Sequence, residues 1–195
     1  EVKLGESNAL LIRGANVMLG YWNNPAATAA IISSDGWLNS GDIASIDAQG
    51  HVTITGRLKE IIVLSTGEKI PPADMEAAIL RDPLFEQAML IGEARSYLSV
   101  MVVLNTAHWQ NVVSQYGLDA SLNTDQQRQQ VEEILLDKIT EQTSEFPGYA
   151  KIRRVALIQE PWNVENGLLT PTLKLKRAKV LEKYVREVER LYAGH

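Results

Sequence analysis

The chain has 195 residues, 45% hydrophobic and 22% charged, with a formal net charge of -5 and no cysteine. This balance suits one folded domain, or one domain joined to part of another, and argues against the broad positive field that nucleic-acid binding needs. The lack of cysteine excludes disulfides, zinc–thiolate sites and cysteine nucleophiles, and makes the cytoplasm the default compartment.

No apolar stretch approaches the roughly 20 residues of a membrane-spanning helix. The start, Glu1-Val2-Lys3-Leu4-Gly5, has neither an initiating Met nor signal-peptide character and enters a strand-like run at once, so the sequence reads as a cut chain. Ala9 to Arg13 is a short apolar run closed by Gly14. Asn24-Pro25 followed by Ala26 to Ile31 predicts a short helix with proline in its first turn. From Trp37 to Arg57, strand-like pieces are punctuated by Ser40-Gly41-Asp42 and Asp47-Ala48-Gln49-Gly50, which predicts a β-meander.

Beyond Arg57 the pattern turns to mixed α and β. The apolar run Ile61 to Leu64 leads into the turn Ser65-Thr66-Gly67, then a helix from about Pro72 to Arg81. Ala88–Gly92, Leu98–Leu104 and Ile152–Ile158 predict strands. Thr124 is a candidate cap for a helix whose Val131, Ile134, Leu135 and Ile139 share one face. A last helix carries Val180, Leu181, Tyr184, Val185, Val188, Leu191 and Tyr192 at helical spacing and must pack on a sheet. The order of elements predicts an α+β fold, with a mainly β first part and a small domain of helices against a sheet.

Few residues carry chemistry by pattern alone. His51, His108 and His195 are scattered, without a metal-site partner at ligand spacing, so no metal site is expected. Ser65-Thr66-Gly67-Glu68-Lys69 is not a Walker loop, because Glu68 separates Gly from Lys; what remains is a glycine turn after an apolar run. Asp42 beside Gly41 is a carboxylate able to accept hydrogen bonds from vicinal ribose hydroxyls, although a plain turn aspartate explains it more simply. Arg57 offers a charged fork to a nucleotide or to a surface ion pair. In Leu173-Lys174-Leu175-Lys176-Arg177, strand alternation places the two lysines opposite the two leucines, which a solvated strand face explains equally well. The basic run from Lys174 to Lys183 reads as a solvated helix start in preference to peripheral contact with an anionic inner-membrane surface.

Taken together, four segments resemble the adenylate-forming (AMP-binding) superfamily, specifically its long-chain fatty-acid–CoA ligase branch. They are Ala15 to Trp22 with Asn24-Pro25, Asp35-Gly36-Trp37-Leu38-Asn39-Ser40-Gly41-Asp42, the block from Gly56-Arg57-Leu58-Lys59 to Ile70, and Glu165 to Arg177. The resemblance implies that residues 1–58 are the β-rich end of a large N-terminal AMP-binding domain and residues 59–195 the small mixed α/β C-terminal lid. It also implies roles: Asp42 and Arg57 on the ribose of ATP or AMP, Lys59 as the hinge, Gly67 in the loop lining the CoA pantetheine tunnel, and Lys174 as the adenylation lysine. Two places depart from the family pattern: the loop reads Ser65-Thr66-Gly67 where a second glycine often occurs, and Leu173 stands where many relatives have glycine before the lysine. The implied reaction joins fatty acid, ATP and CoA, with magnesium held in the large domain. The isolated chain is then expected to be inactive, since the phosphate loop, the magnesium ligand and the acyl pocket lie outside it. The alternatives are a fatty-acyl-AMP ligase loading a carrier protein and a non-catalytic module with the lid fold. Fatty-acid chain length and oligomeric state are not readable from these residues.

Overall fold

The computed structural model describes residues 1–118 and 125–193; the candidate cap Thr124 and His195 lie outside them. The chain forms two compact units, Glu1–Ile61 and Ile62–His195.

In the first unit, β1 (Val2–Leu4), β2 (Ala9–Ile12), β3 (Leu38–Ile46) and β4 (Val52–Arg57) form an antiparallel sheet in sequence order, the expected meander. Helix α1 (Pro25–Ile31) starts where predicted: Pro25 needs no hydrogen-bonded N–H there, and the Asn24 side chain accepts from the Ala27 N–H. The β3–β4 turn is held by Asp47, whose carboxylate accepts from the N–H groups of Gln49 and His51 and meets the His51 ring at 2.9 Å. The His51 contact, helped by these N–H groups, holds the Asp47 carboxyl below its ordinary range.

The first punctuation mark behaves differently. Ser40-Gly41-Asp42 is not a turn between strands but lies inside β3. Ala9 pairs with Ile43 and Leu11 with Asn39, so two steps along β2 match four along β3, a bulge. Gly41 takes φ 77°, which a side chain would resist, and the side chains of Asn39 and Ser40 accept the N–H groups of Gly41 and Asp42 that the bulge frees from the ladder.

The second unit opens with a hairpin of β5 (Ile62–Val63) and β6 (Lys69–Ile70), followed by α2 (Pro72–Ile79). Its sheet has the order β7 (Phe85–Ile91), β8 (Leu98–Leu104), β9 (Ile152–Ile158), with β7–β8 antiparallel and β8–β9 parallel. Helices α3 (Thr106–Tyr116) and α4 (Asp125–Gln142) connect β8 to β9. Every residue of β8 is buried, as a central strand covered on both faces requires. Leu98, Val100 and Val102 pack with Met75 and Ile79 of α2 and Val131, Leu135 and Ile139 of α4. Met101 and Val103 pack on the other face with Trp162, Leu168, Val180 and Leu191.

Two helical expectations change. The last helix is broken at Tyr184 (φ -108°, ψ 31°) into α5 (Arg177–Lys183) and α6 (Val185–Tyr192). The N–H of Tyr184 still reaches Val180 and that of Val188 still reaches Tyr184, so the hydrogen bonding spans the bend while Val180 and Leu191 both enter the core. Helix α3 was not anticipated, because among its residues only Val112 is buried and the apolar period is weak. Its ends did carry a signal: Asn105 caps the N–H groups of Ala107 and His108, and Gly117 closes it at φ 60°.

Candidate functional site

The first constellation is made by strand register. In the β3–β4 ladder Ile43 pairs with Gly56 and Ala44 with Ile54, so Thr55 is an extra residue in β4; beyond it Asp42 stands opposite Arg57, the last residue of β4, and Arg57 Nε lies 3.0 Å from Asp42 Oδ1. The Asp42 side chain is only 17% exposed, whereas that of Arg57 is 59% exposed. Oδ2 of Asp42 accepts no hydrogen bond from the described residues. An ionised carboxylate fixed through one oxygen and open at the other can accept hydroxyl hydrogen bonds, and the neighbouring guanidinium adds donors in a planar fork. The sequence marks both residues separately and does not show the register step at Thr55 that makes them partners.

Lys59 is exposed, in a single 3₁₀ turn (Leu58–Glu60) that follows Arg57 directly. Gly67 lies in the second unit, at the β5–β6 turn, with φ 95° and open space where a Cβ would stand. Its N–H donates to Leu64, and the turn is tied to the β7–β8 connection by Ser65 N–H to Arg95 O at 2.9 Å. Thr66 donates its hydroxyl to Glu68 and so holds the Glu68 carboxyl below its ordinary value. Both side chains line a cavity of about 180 Å³ together with Tyr97, Tyr149, Lys151 and Arg153. The guanidinium of Arg153 lies 5.7 Å from the Tyr97 ring centre. Sequence reasoning passed over Lys151 and Arg153, although their alternation with buried Ile152 points both away from the core.

Lys174 sits in the connection from β9 to α5. The expected alternation fails here: Leu173 is 72% exposed, and Lys174 is exposed beside it. Instead of a strand the chain makes a turn, in which Thr170 N–H donates to Lys174 O, Lys174 N–H to Thr170 Oγ1, and Leu173 takes φ 60°. Leu169 and Leu175 bridge below the turn, so only the stem of the segment is β-like. The Lys174 ammonium pairs with no carboxylate among the described residues. The hydrogen bonds of this turn and those of the Gly67 turn involve separate sets of residues.

Among the described residues, no group of three or more His, Asp and Glu is placed to hold a metal ion, and no helix is long and apolar enough to cross a membrane.

An α+β unit of this topology, preceded by a β-meander, is the fold found in solved adenylation domains of adenylate-forming enzymes. The chain belongs to that family, since residues 59–195 match the model of the AMP-binding enzyme C-terminal domain. It is 30% identical to the long-chain-fatty-acid–CoA ligase FadD15 of Mycobacterium tuberculosis, over 98% of this chain and 32% of that protein. It is also 30% identical to the chloroplastic long-chain-fatty-acid–[acyl-carrier-protein] ligase AEE15 of Arabidopsis thaliana, over 97% of this chain and 26% of that protein. Among solved structures it resembles the A domain of carboxylic acid reductase from Segniliparus rugosus, in complex with AMP and a co-purified carboxylic acid. There the TM-score is 0.77 and the identity 28%, over 95% of this chain and 28% of the other. The chain thus spans about a quarter to a third of the length of the curated relatives it matches.

Proposed function

We propose that this chain is the C-terminal part of an ATP-dependent, AMP-forming long-chain fatty-acid–CoA ligase, with residues 1–58 closing the large AMP-binding domain and residues 59–195 forming the mobile lid. A fatty-acid carboxylate oxygen attacks the α-phosphorus of ATP, the bond to the β-phosphate oxygen breaks, and pyrophosphate leaves. The CoA thiol then loses its proton to solvent, its sulfur adds to the acyl carbonyl, and the carbon–oxygen bond to AMP breaks, leaving the thioester and free AMP. In this reading Asp42 accepts the ribose hydroxyls and Arg57 adds a donor beside them. Lys174 offsets the charge that develops between the acyl carboxylate and the α-phosphate. Lys59 absorbs the backbone rotation of the lid, and the Gly67 turn admits the pantetheine arm, where the absence of a Cβ leaves room. Magnesium would be held by the large domain, since the described residues of this chain form no group of three or more His, Asp and Glu that could hold a metal ion.

The observation that carries the reading is the Asp42–Arg57 pair, held by register with one carboxylate oxygen open, in a chain that matches the family model. The decisive experiment uses the full-length enzyme and separates the half-reactions. Lys174→Ala should slow acyl-adenylate formation about a hundredfold to a thousandfold, equivalent to roughly 3–4 kcal/mol, while thioester formation from supplied acyl-adenylate changes far less. Lys176→Ala is the control, with the same charge two residues away. Equal loss in both steps, or no loss, would refute the assignment of Lys174. On its own the 195-residue chain should release no fatty-acid-dependent pyrophosphate above background.

A second acceptor is favoured by one finding: AEE15, an acyl-carrier-protein ligase by name, is as similar to this chain as FadD15. Offering the intact enzyme CoA and a phosphopantetheinylated carrier in parallel assays distinguishes the two.

A further inference from the structure

Lys174 stands at the tip of a strap, residues 163–176, whose two ends are both fastened to β7. At one end, the Gln87 side chain imitates a neighbouring strand: its Nε2 donates to Trp162 O at 2.8 Å, and its Oε1 accepts from Trp162 N–H at 2.7 Å. At the other end, Arg177 Nη1 donates to Glu76 Oε1 and Nη2 to Leu90 O, each at 2.7 Å. Glu76 Oε1 also accepts from Leu90 N–H at 2.7 Å. Among the described residues β7 pairs only with β8, and both main-chain groups of Leu90 face these side chains. In an antiparallel strand the N–H and C=O of one residue point the same way, so Glu76 and Arg177 together satisfy the open edge that another strand would otherwise seek.

The ion pair is well placed to be rigid. The Arg177 and Glu76 side chains are 21% and 16% exposed. Charge-assisted bonds at that depth are stronger and less screened than surface pairs. Between the two anchors Leu173 holds φ 60°, a left-handed conformation that a bulky side chain disfavours and that persists only where the surroundings over-determine it. Two fixed ends and a bridge between Leu169 and Leu175 supply that constraint.

We infer that Glu76, Arg177 and Gln87 are positioning residues that set the reach of the Lys174 ammonium by pinning its strap to β7. None of them need touch substrate. The inference rests on the proposed adenylation role of Lys174. A misplacement of about 1 Å at a reacting centre can cost on the order of a hundredfold in rate, so loosening either anchor should act on the Lys174 step alone.

Two measurements test this. In the 195-residue chain, read by hydrogen exchange, Arg177→Gln and Glu76→Gln should speed exchange of the Thr170, Leu173 and Lys174 amides tenfold or more while β8 amides keep their protection. Unchanged strap exchange would overturn the anchoring, whatever the enzyme does. Should Arg177→Gln fail to fold, seen as loss of β8 protection, Arg177→Lys and Gln87→Ala provide the same reading. In the full-length enzyme, Arg177→Gln should slow adenylate formation 10- to 100-fold and thioester formation less than threefold, with Arg177→Lys recovering part of the loss. The double variant K174A/R177Q should be no slower than Lys174→Ala alone. Multiplied losses would show that Arg177 acts by another route and would overturn the inference. If Lys174→Ala leaves adenylate formation intact while the strap exchange changes as expected, the synthetase role of Lys174 fails and the anchoring stands as a structural device only.

Discussion

In the first unit only Ala9, Leu10, Ile43 and Ala44 form a buried apolar set among the described residues, whereas the second packs two clusters on opposite faces of one sheet. The chemistry of the strands does not differ greatly; what differs is the supply of helices. In the second unit α2 and α4 cover one face of β7–β9, and α5 and α6 contribute to the other. In the first unit α1 buries no residue, while Leu19 and Trp22 are 104% and 97% exposed and Ile54 is 58% exposed. A sheet with one covering layer can be solvated on its other face, but fully exposed Trp and Leu side chains on one loop are apolar surface left over. Under the proposed function, that surface belongs against the rest of the large domain.

The widest separation between the units should come from their tryptophans. Trp162 is 2% exposed in the second core, and Trp162→Ala should cost about 3–5 kcal/mol in urea unfolding of the chain. Trp22→Ala, at a site 97% exposed, should change stability by no more than about 0.5 kcal/mol. A cost for Trp22 near that for Trp162 would show that the first unit has a core of its own.

A smaller contrast uses one chemical change in both places. Asn105 caps α3 through two N–H groups and Asn24 caps α1 through one. Asn105→Ala should destabilise the second unit by about 1 kcal/mol. Asn24→Ala should fray α1, seen as faster amide exchange over Ala27–Ile31, without shifting the main unfolding transition. A shift of that transition equal to the one from Asn105→Ala would mean that the units unfold together.

The smallest effect is a pH dependence confined to the β3–β4 hairpin. Hydrogen bonding by His51 lowers the Asp47 pKa from its ordinary 3.8. A carboxyl with a lowered folded value contributes stability that is present above its unfolded value and lost as pH falls through the folded one. Hairpin amide exchange should therefore accelerate as pH drops below about 4, beyond the intrinsic pH trend, and Asp47→Asn should flatten that response. The site is exposed, so the change should be modest and should fade in high salt.

Local pattern carried much of this fold. Leu98–Leu104 and Ile152–Ile158 are strands over the same bounds that their β-branched runs predict. Val131, Leu135 and Ile139 are buried as their helical spacing requires, and Pro25 opens α1 where a missing N–H costs nothing. Spacing records where a side chain points relative to its near neighbours, and for these elements that is enough.

The candidate site needed more. Asp42 and Arg57 become partners through the register of β3 against β4, which steps by one residue at Thr55, and such a bulge depends on how much of each strand the rest of the sheet can pair. Leu173 and Lys174 share the solvent side of a turn instead of alternating, because the strap is bound at both ends to β7. Glu76 and Arg177 are 101 residues apart, and neither has a local signal naming the other. The sequence by itself determined the elements, their apolar faces and the residue types available for chemistry. Tertiary structure alone decided which of those residues meet, because register and edge pairing are settled by the summed packing of segments distant along the chain, which no local period encodes.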